Sequence, residues 1–148
     1  MLWKNAVMTE HKPHLVVVAG VIEKDGCYFI AQRLENASQG GLWEFPGGKV
    51  ELGETPMQAL ERELSEELSI VTKTGMWLAD SVCDYGDKVV ELKGYLSQWQ
   101  QGEIQLNSHQ QMAWVALAQL DNYRFCAADY PIITALHDHL ALVNTAKL

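Results

Sequence analysis

The chain has 148 residues, enough for one domain with its own core and no need of disulfide or metal staples. Its formal net charge of -8 excludes the basic surface that a nucleic-acid polymer or an anionic membrane demands, but leaves room for a small phosphate ligand. Cys27, Cys83 and Cys126 are odd in number and widely spaced, so they form neither a disulfide framework nor a zinc pattern and point to a cytoplasmic setting.

Residues 1–13 read as an N-terminal extension and 14–148 as a single domain. The extension carries Lys4, Glu10, His11 and Lys12 without the apolar run of a signal peptide. No stretch approaches the roughly 18 apolar residues of a membrane span. Leu15 to Ile22 is a β-branched run of the kind buried on both faces of a sheet. Asp25-Gly26 marks a turn, and Cys27 to Leu34 completes a hairpin. Glu35 to Gly41 reads as loop and Leu42 to Phe45 as a short strand. A helix follows. Thr55 is placed to cap it, Pro56 to open it and Gln58 to complete a capping box. Met57, Leu60, Leu64 and Leu68 form its apolar stripe.

Beyond Ile70 the predicted strands are Met76 to Tyr85, Val89 to Trp99 and Gln111 to Val115. Leu117 to Leu120 reads as a short helical turn. Ile132 to Leu142, opened by Pro131, is a final helix with Ile132, Ile133, Leu136, Leu140 and Val143 facing inward. The order β-β-β-α-β-β-β-α predicts an α/β (α+β) domain, one mixed sheet sandwiched between helices. Trp43, Trp77, Trp99 and Trp114 at strand positions are expected in the core.

The chemistry concentrates on the first helix. Glu63, Glu66 and Glu67 sit at i, i+3 and i+4, on one arc where like charges repel. Carboxylates held together against repulsion suit a hard cation, with Mg²⁺ the natural candidate. They follow the loop Phe45-Pro46-Gly47-Gly48-Lys49-Val50-Glu51-Leu52-Gly53-Glu54. Gly47 and Gly48 let the backbone approach a ligand closely, and Gly48 can offer its carbonyl to the metal beside Glu63, Glu66 and Glu67. Ions so held would bridge phosphate oxygens and lower the pKa of an attacking water. Arg62, one turn from Glu66, can pair with Glu66 or Glu54 and so fix loop to helix; Glu54 then reads as a supporting carboxylate. The bland alternative is a solvated acidic helix face. The glycine loop, Glu54 and Arg62 in register weigh against it.

From Gly48 to Ile70, the spacing of Gly48, Glu54, Arg62-Glu63-Leu64, Glu66-Glu67 and Ile70 resembles the Nudix box, with Ser69 where the box has glycine. Phe29 to Arg33, Gly41 to Lys49 and Asp129 to Ile133 look like the MutT-type branch, so the likeness runs from roughly Leu15 to Leu136. It implies the Nudix fold and Mg²⁺-dependent hydrolysis, with Mn²⁺ as a substitute, of a nucleoside triphosphate to monophosphate and pyrophosphate. It further implies a monomer or weak dimer. By the same resemblance Arg33 would contact the substrate, Glu44, Phe45, Pro46 and Gly47 would line the nucleotide pocket, and Asp129 would meet the base edge. Glu63 is the choice of general base on helix geometry, with Glu66, Arg62 and Glu54 completing the catalytic set.

Members that clean oxidised guanine nucleotides carry Asn where Asp129 stands, whereas a cytidine-nucleotide branch has a pattern like Ala128-Asp129-Tyr130-Pro131. A carboxylate only accepts, so Asp129 leans toward a base presenting donors, cytosine or guanine. Its other reading is the N-cap of the last helix. A further acidic metal ligand of the family falls on Ser108, beside His109, with Glu103 near but not aligned. Tyr85 or Phe125 could stack on the base. Two alternatives stand beside the triphosphate: another Nudix substrate such as ADP-ribose or a dinucleotide, and a module that binds a nucleotide without cleaving it.

Overall fold

The computed structural model describes residues 12–146. Of the expected N-terminal extension, residues 1–11 lie outside the described residues. Lys12 and Pro13 already join the fold, Lys12 Nζ standing 2.9 Å from Asp84 and the Pro13 carbonyl accepting the Val89 N–H. The strands are β1 (His14–Lys24), β2 (Cys27–Arg33), β3 (Trp43–Glu44), β4 (Gly47–Lys49), β5 (Val71–Asp84), β6 (Val89–Gln101) and β7 (His109–Ala116). Helix α1 is Pro56–Leu68 and α2 is Tyr130–Ala146, with 3-10 segments at Leu117–Asn122 and Ala127–Asp129. No helix among the described residues is long and apolar enough to cross a membrane.

The expected single sheet is a seven-stranded network of order β3-β2-β1-β6-β5, with β4 on β1 and β7 on β2. Its two halves share little. β1 and β2 pair only at the hairpin tip, Glu23 with Tyr28 and Lys24 with Cys27. One half is mixed, β1 running parallel to β6; the other, β3-β2-β7, is antiparallel. β4 is the strand that sequence reading misses. Gly-Gly-Lys has no strand propensity, and its pairing is imposed by β1, Val17 opposite Lys49 and Ala19 opposite Gly47.

Alternate residues of β1 and β2 feed different clusters. Val18, Ile22, Phe29 and Ala31 pack with Ala59, Leu60, Leu64 and Leu68 of α1. Ala19, Val21, Tyr28 and Ile30 pack with Ile132, Ile133 and Leu136 of α2. That places the strands between two helices, as the pattern predicts. Two apolar expectations fail. Met57 is 43% exposed, its place on the stripe taken by Ala59, and Trp77 is 54% exposed, its Nε1 donating to Asp80 at 2.8 Å.

Helix α1 starts as its sequence dictates. The Gln58 N–H donates to Thr55 Oγ1 at 3.1 Å, and the Thr55 N–H donates to Gln58 Oε1 at 3.0 Å. Its end is less ordinary, because Ser69 takes the left-handed conformation (φ 60°) that glycine adopts more cheaply. The following loop braces it. Asn107 Nδ2 donates to the Glu66 carbonyl at 2.8 Å and to Ser69 Oγ at 3.0 Å, while the Gln105 and Asn107 N–H groups take the carbonyls of Leu68 and Glu67.

Gly47 is required by the backbone of β1, since a Cβ there would lie 1.8 Å from the Val18 carbonyl oxygen. Gly47→Ala is therefore expected to cost about 3 kcal/mol, the upper end of what overpacking usually costs. Gly75→Ala, whose Cβ would meet Leu96 at an ordinary 3.4 Å, should stay within about 1 kcal/mol. Urea denaturation of the two variants measures the contrast.

Candidate active site

Arg62 ties the loop before α1 to the helix. Its Nε donates to Glu54 at 2.7 Å and its Nη2 to the other Glu54 oxygen at 2.8 Å, the two-pronged arrangement that suits a guanidinium. Nη2 also reaches the Lys49 carbonyl at 2.9 Å, while Nη1 reaches Glu63 at 2.9 Å and Glu66 at 3.3 Å. Held by Arg62 and by the Glu51 N–H, the Glu54 carboxyl titrates at about 2. The two pairings expected for Arg62 thus occur together, not as alternatives.

A cleft of about 270 Å³ opens between β1, the β4 turn and the start of α2. Of the residues assigned to the substrate, Arg33, Glu44, Phe45, Gly47 and Asp129 line it, along with Gly48 and Glu67. Pro46 does not: it is buried, and its carbonyl accepts the Gly20 N–H at 2.8 Å, so it serves the β1–β4 junction. Phe125 is a core residue behind Phe45, with ring centroids 5.6 Å apart, whereas Tyr85 is on the wall, its hydroxyl accepting the Ala128 N–H. Lys88, Ser38 and Cys126 complete the lining unannounced by any sequence motif. Ser108 and Glu103 are exposed and absent from the walls.

Three carboxyls crowd this cleft. Glu44 receives Arg33 Nη1 at 3.1 Å and His109 Nε2 at 2.8 Å. Asp129 is buried, and its Oδ1 accepts the Phe45 N–H at 3.0 Å. That contact corrects the N-cap reading. Asp129 closes the 3-10 segment leading into α2 and so lacks the extended backbone that a capping residue uses. Burial first, and then the charge of Glu44, push its carboxyl well above the usual range. That push favours the protonated carboxyl, which donates as well as accepts, whereas the sequence reading takes Asp129 as an acceptor only.

Glu67 is pushed up to about 9, again by burial first and then by the charges of Glu44 and Glu63. Its Oε2 lies 3.9 Å from His109 Nδ1, and among the described residues neither atom has a hydrogen-bond partner. Burial also raises Glu63 against the pull of Arg62. Glu63 lies against the loop, so a Cβ on Gly48 would come 2.4 Å from its Oε2. Glu66 stands apart, its side chain 58% exposed.

The donor set suits a hard divalent cation. It consists of carboxylate oxygens and a backbone carbonyl, and one carboxylate oxygen is buried without a partner. Among the described residues no three His, Cys, Asp or Glu side chains already converge on an ion position. Glu63 is drawn to Arg62 and Glu67 is turned toward His109, so the three helix carboxylates are gathered on one element but not preset around a point.

Glu67 has consequences for the metal-free fold. Its carboxyl titrates at about 9 in the fold against 4.5 in its unperturbed state. A raised folded pKa gives stability that is fully present below the unfolded value and is lost as pH rises toward the folded one. In chelator, the wild-type urea midpoint is therefore expected to fall between pH 4.5 and about 9. Glu67→Gln should flatten that slope and be the more stable protein near pH 8, by about 1 kcal/mol or more. Identical slopes would contradict this assignment of the buried charge.

Comparison with known proteins agrees with this geometry. A family model described as a NUDIX domain matches residues 17–135. The CTP pyrophosphohydrolase of Escherichia coli K12 is 38% identical over 119 residues, covering 80% of this chain and 88% of the relative. The 8-oxo-dGTP diphosphatase of Proteus vulgaris is 47% identical over 91 residues, 60% of this chain and 80% of that one. Among solved structures, that of the E. coli ORF135 protein superposes with a TM-score of 0.77 at 34% identity, covering 90% of this chain and 95% of that one. With the family model spanning most of the chain and a relative 38% identical over 80% of it, the chain belongs to the NUDIX hydrolase family.

Proposed function

We propose that this protein is a Mg²⁺-dependent pyrophosphohydrolase of nucleoside triphosphates, yielding the monophosphate and pyrophosphate, with cytidine or oxidised guanine nucleotides as its substrates. One observation carries the reading. Glu67 and the Gly48 loop, with Glu63 behind it, form one end of a cleft whose other walls include Phe45, Cys126 and Asp129. A metal-binding end and a base-sized apolar end in one cleft suit a nucleotide bound lengthwise. Relatives named for CTP and for 8-oxo-dGTP agree with the substrate class.

Glu63, Glu66, Glu67 and the Gly48 carbonyl are the groups that would hold Mg²⁺ or Mn²⁺, which when bound polarises phosphate oxygens and acidifies water. Arg33 and Lys49, both on the cleft wall, supply positive charge for the phosphate chain. Glu63 accepts the proton of the water that attacks the β-phosphorus. The new P–O bond forms as the bond to the oxygen bridging the α- and β-phosphorus breaks, and the nucleoside monophosphate leaves. A base with its pKa raised by burial is better matched to that step than an exposed glutamate.

Asp129 addresses the base with a carboxyl whose Oδ1 is already engaged by Phe45. Burial and Glu44 push its carboxyl toward the protonated form, which presents a donor and an acceptor much as an asparagine amide does. In that form it imposes no preference for donor-bearing bases alone, and cytosine and oxidised guanine edges both fit it.

Canonical and oxidised nucleoside triphosphates compared by kcat/KM test the reading, with pyrophosphate as the measured product. Glu63→Gln is expected to lower kcat by roughly 10²- to 10⁴-fold with little change in KM. Nucleotide binding without pyrophosphate release in the wild type would make this a binding module. Asp129→Asn, which keeps one donor and one acceptor group, should preserve the ranking of bases, and Asp129→Ala should flatten it.

A further inference from the structure

His109 is the first residue of β7, and its side chain is only 3% exposed. Its inward direction is the work of an irregularity. β2 and β7 pair in regular antiparallel register from Cys27–Ala116 to Gln32–Gln111, and then the register shifts so that Arg33 meets His109. The extra residue, Gln110, is left outside, where its Nε2 donates to the Arg33 carbonyl at 2.8 Å. A bulge re-aims the side chain beyond it, because each one-residue slip reverses the face. His109 thereby joins Arg33 on the face that Phe29 and Ala31 turn toward α1. There it reaches Glu44 through one ring nitrogen and faces Glu67 with the other.

The two contacts differ in kind. Glu44 also receives the Arg33 guanidinium, so its carboxylate accepts and His109 Nε2–H donates, at 2.8 Å. The other ring nitrogen, Nδ1, looks at Glu67 Oε2 across 3.9 Å. Both atoms are buried, and neither has another partner among the described residues. The gap exceeds a direct hydrogen bond by roughly 1 Å, which a turn of the carboxyl closes. A ring nitrogen and a carboxyl oxygen that share one proton satisfy each other, whichever of the two carries it, so these atoms are costly apart and satisfied together.

We propose that His109 is a positioning residue for Glu67: pinned to Glu44 through Nε2, it holds Oε2 of Glu67 at Nδ1 through one shared proton and so turns the other carboxylate oxygen toward the Gly47–Gly48 end of the cleft. As a statement about metal binding, this rests on the reading of Glu67 as a ligand given above. Outer groups that orient a ligand in this way typically govern metal affinity by 10- to 100-fold. The imidazole also makes Arg33, Glu44, His109 and Glu67 one continuous chain, joining the substrate-facing side of the cleft to the helix carboxylates.

Two substitutions separate this role from plain packing. His109→Gln keeps a donor near the Nε2 position and can still bond Glu44, but has nothing at Nδ1. His109→Asn keeps a polar atom near Nδ1 and loses the reach to Glu44. Mn²⁺ binding without nucleotide, followed by electron paramagnetic resonance, is expected to weaken about tenfold or more in His109→Gln and less than threefold in His109→Asn. Melting temperatures recorded in parallel report any packing loss, which would lower stability in both variants without moving Mn²⁺ affinity. Wild-type Mn²⁺ affinity in His109→Gln would overturn the proposal. Should the wild type itself take up no Mn²⁺, the metal reading fails, and the contact is judged on the ¹⁵N resonances of the imidazole. Glu67→Gln must then shift the His109 Nδ1 signal, and an unmoved signal would overturn the pairing as well.

Discussion

The organisation of this molecule turns on acidic groups being brought out of water near one another. Glu44, Glu63, Glu67 and Asp129 all lie at or beside one cleft, and burial raises three of them. Two guanidiniums offset them from opposite sides. Arg62 binds Glu54, Glu63, Glu66 and a loop carbonyl, while Arg33 binds Glu44. Neither cation reaches Glu67 or Asp129 with a hydrogen bond. Both carboxyls are pushed upward, because the penalty of a buried charge without an ion-pair partner favours the neutral acid. A site of this kind is a burden on the fold until its ligand arrives, and ligand binding then stabilises the native state.

The framework that carries this burden is stiff where the site needs it. The carboxylates stand on a helix that is capped at its start by Thr55 and Gln58 and braced at its end by Asn107. Its buried face is seated against β1 and β2 by Leu60, Leu64 and Leu68. The loop facing the helix is equally constrained, since Gly47 and Gly48 leave no space for a Cβ against the Val18 carbonyl on one side and Glu63 on the other. Glycine is therefore demanded by closeness, not by turn geometry.

Much of this is legible in the sequence, and the boundary between what is and is not has physical causes. The capping box, the two-faced β1 and the carboxylate spacing on α1 are local patterns, so they survive without a structure. β4 does not, because three residues with no strand propensity pair only when β1 is laid beside them. Met57 and Trp77 mislead because apolar character says what a residue can bury, not what the fold finds room for. Asp129 lies on the cleft wall, and the upward push on its carboxyl comes from burial and from Glu44, far away in the chain, which no local pattern reveals. His109 is the clearest case. Nothing near it in sequence marks it, and a one-residue slip in strand pairing turns it inward.

That slip also bears on how the site tolerates the serine at position 108. Ser108 is exposed and off the cleft wall, so it adds no group beside Glu44 and Glu67. The strand instead turns the next residue inward and brings its imidazole to Glu44 and Glu67. An imidazole adds no carboxylate charge to those already buried, and Glu67 faces a ring nitrogen across 3.9 Å in place of another acid. The cleft thus crowds no further carboxylate against Glu44 and Glu67, where burial and then the charge of Glu44 already push Glu67 upward.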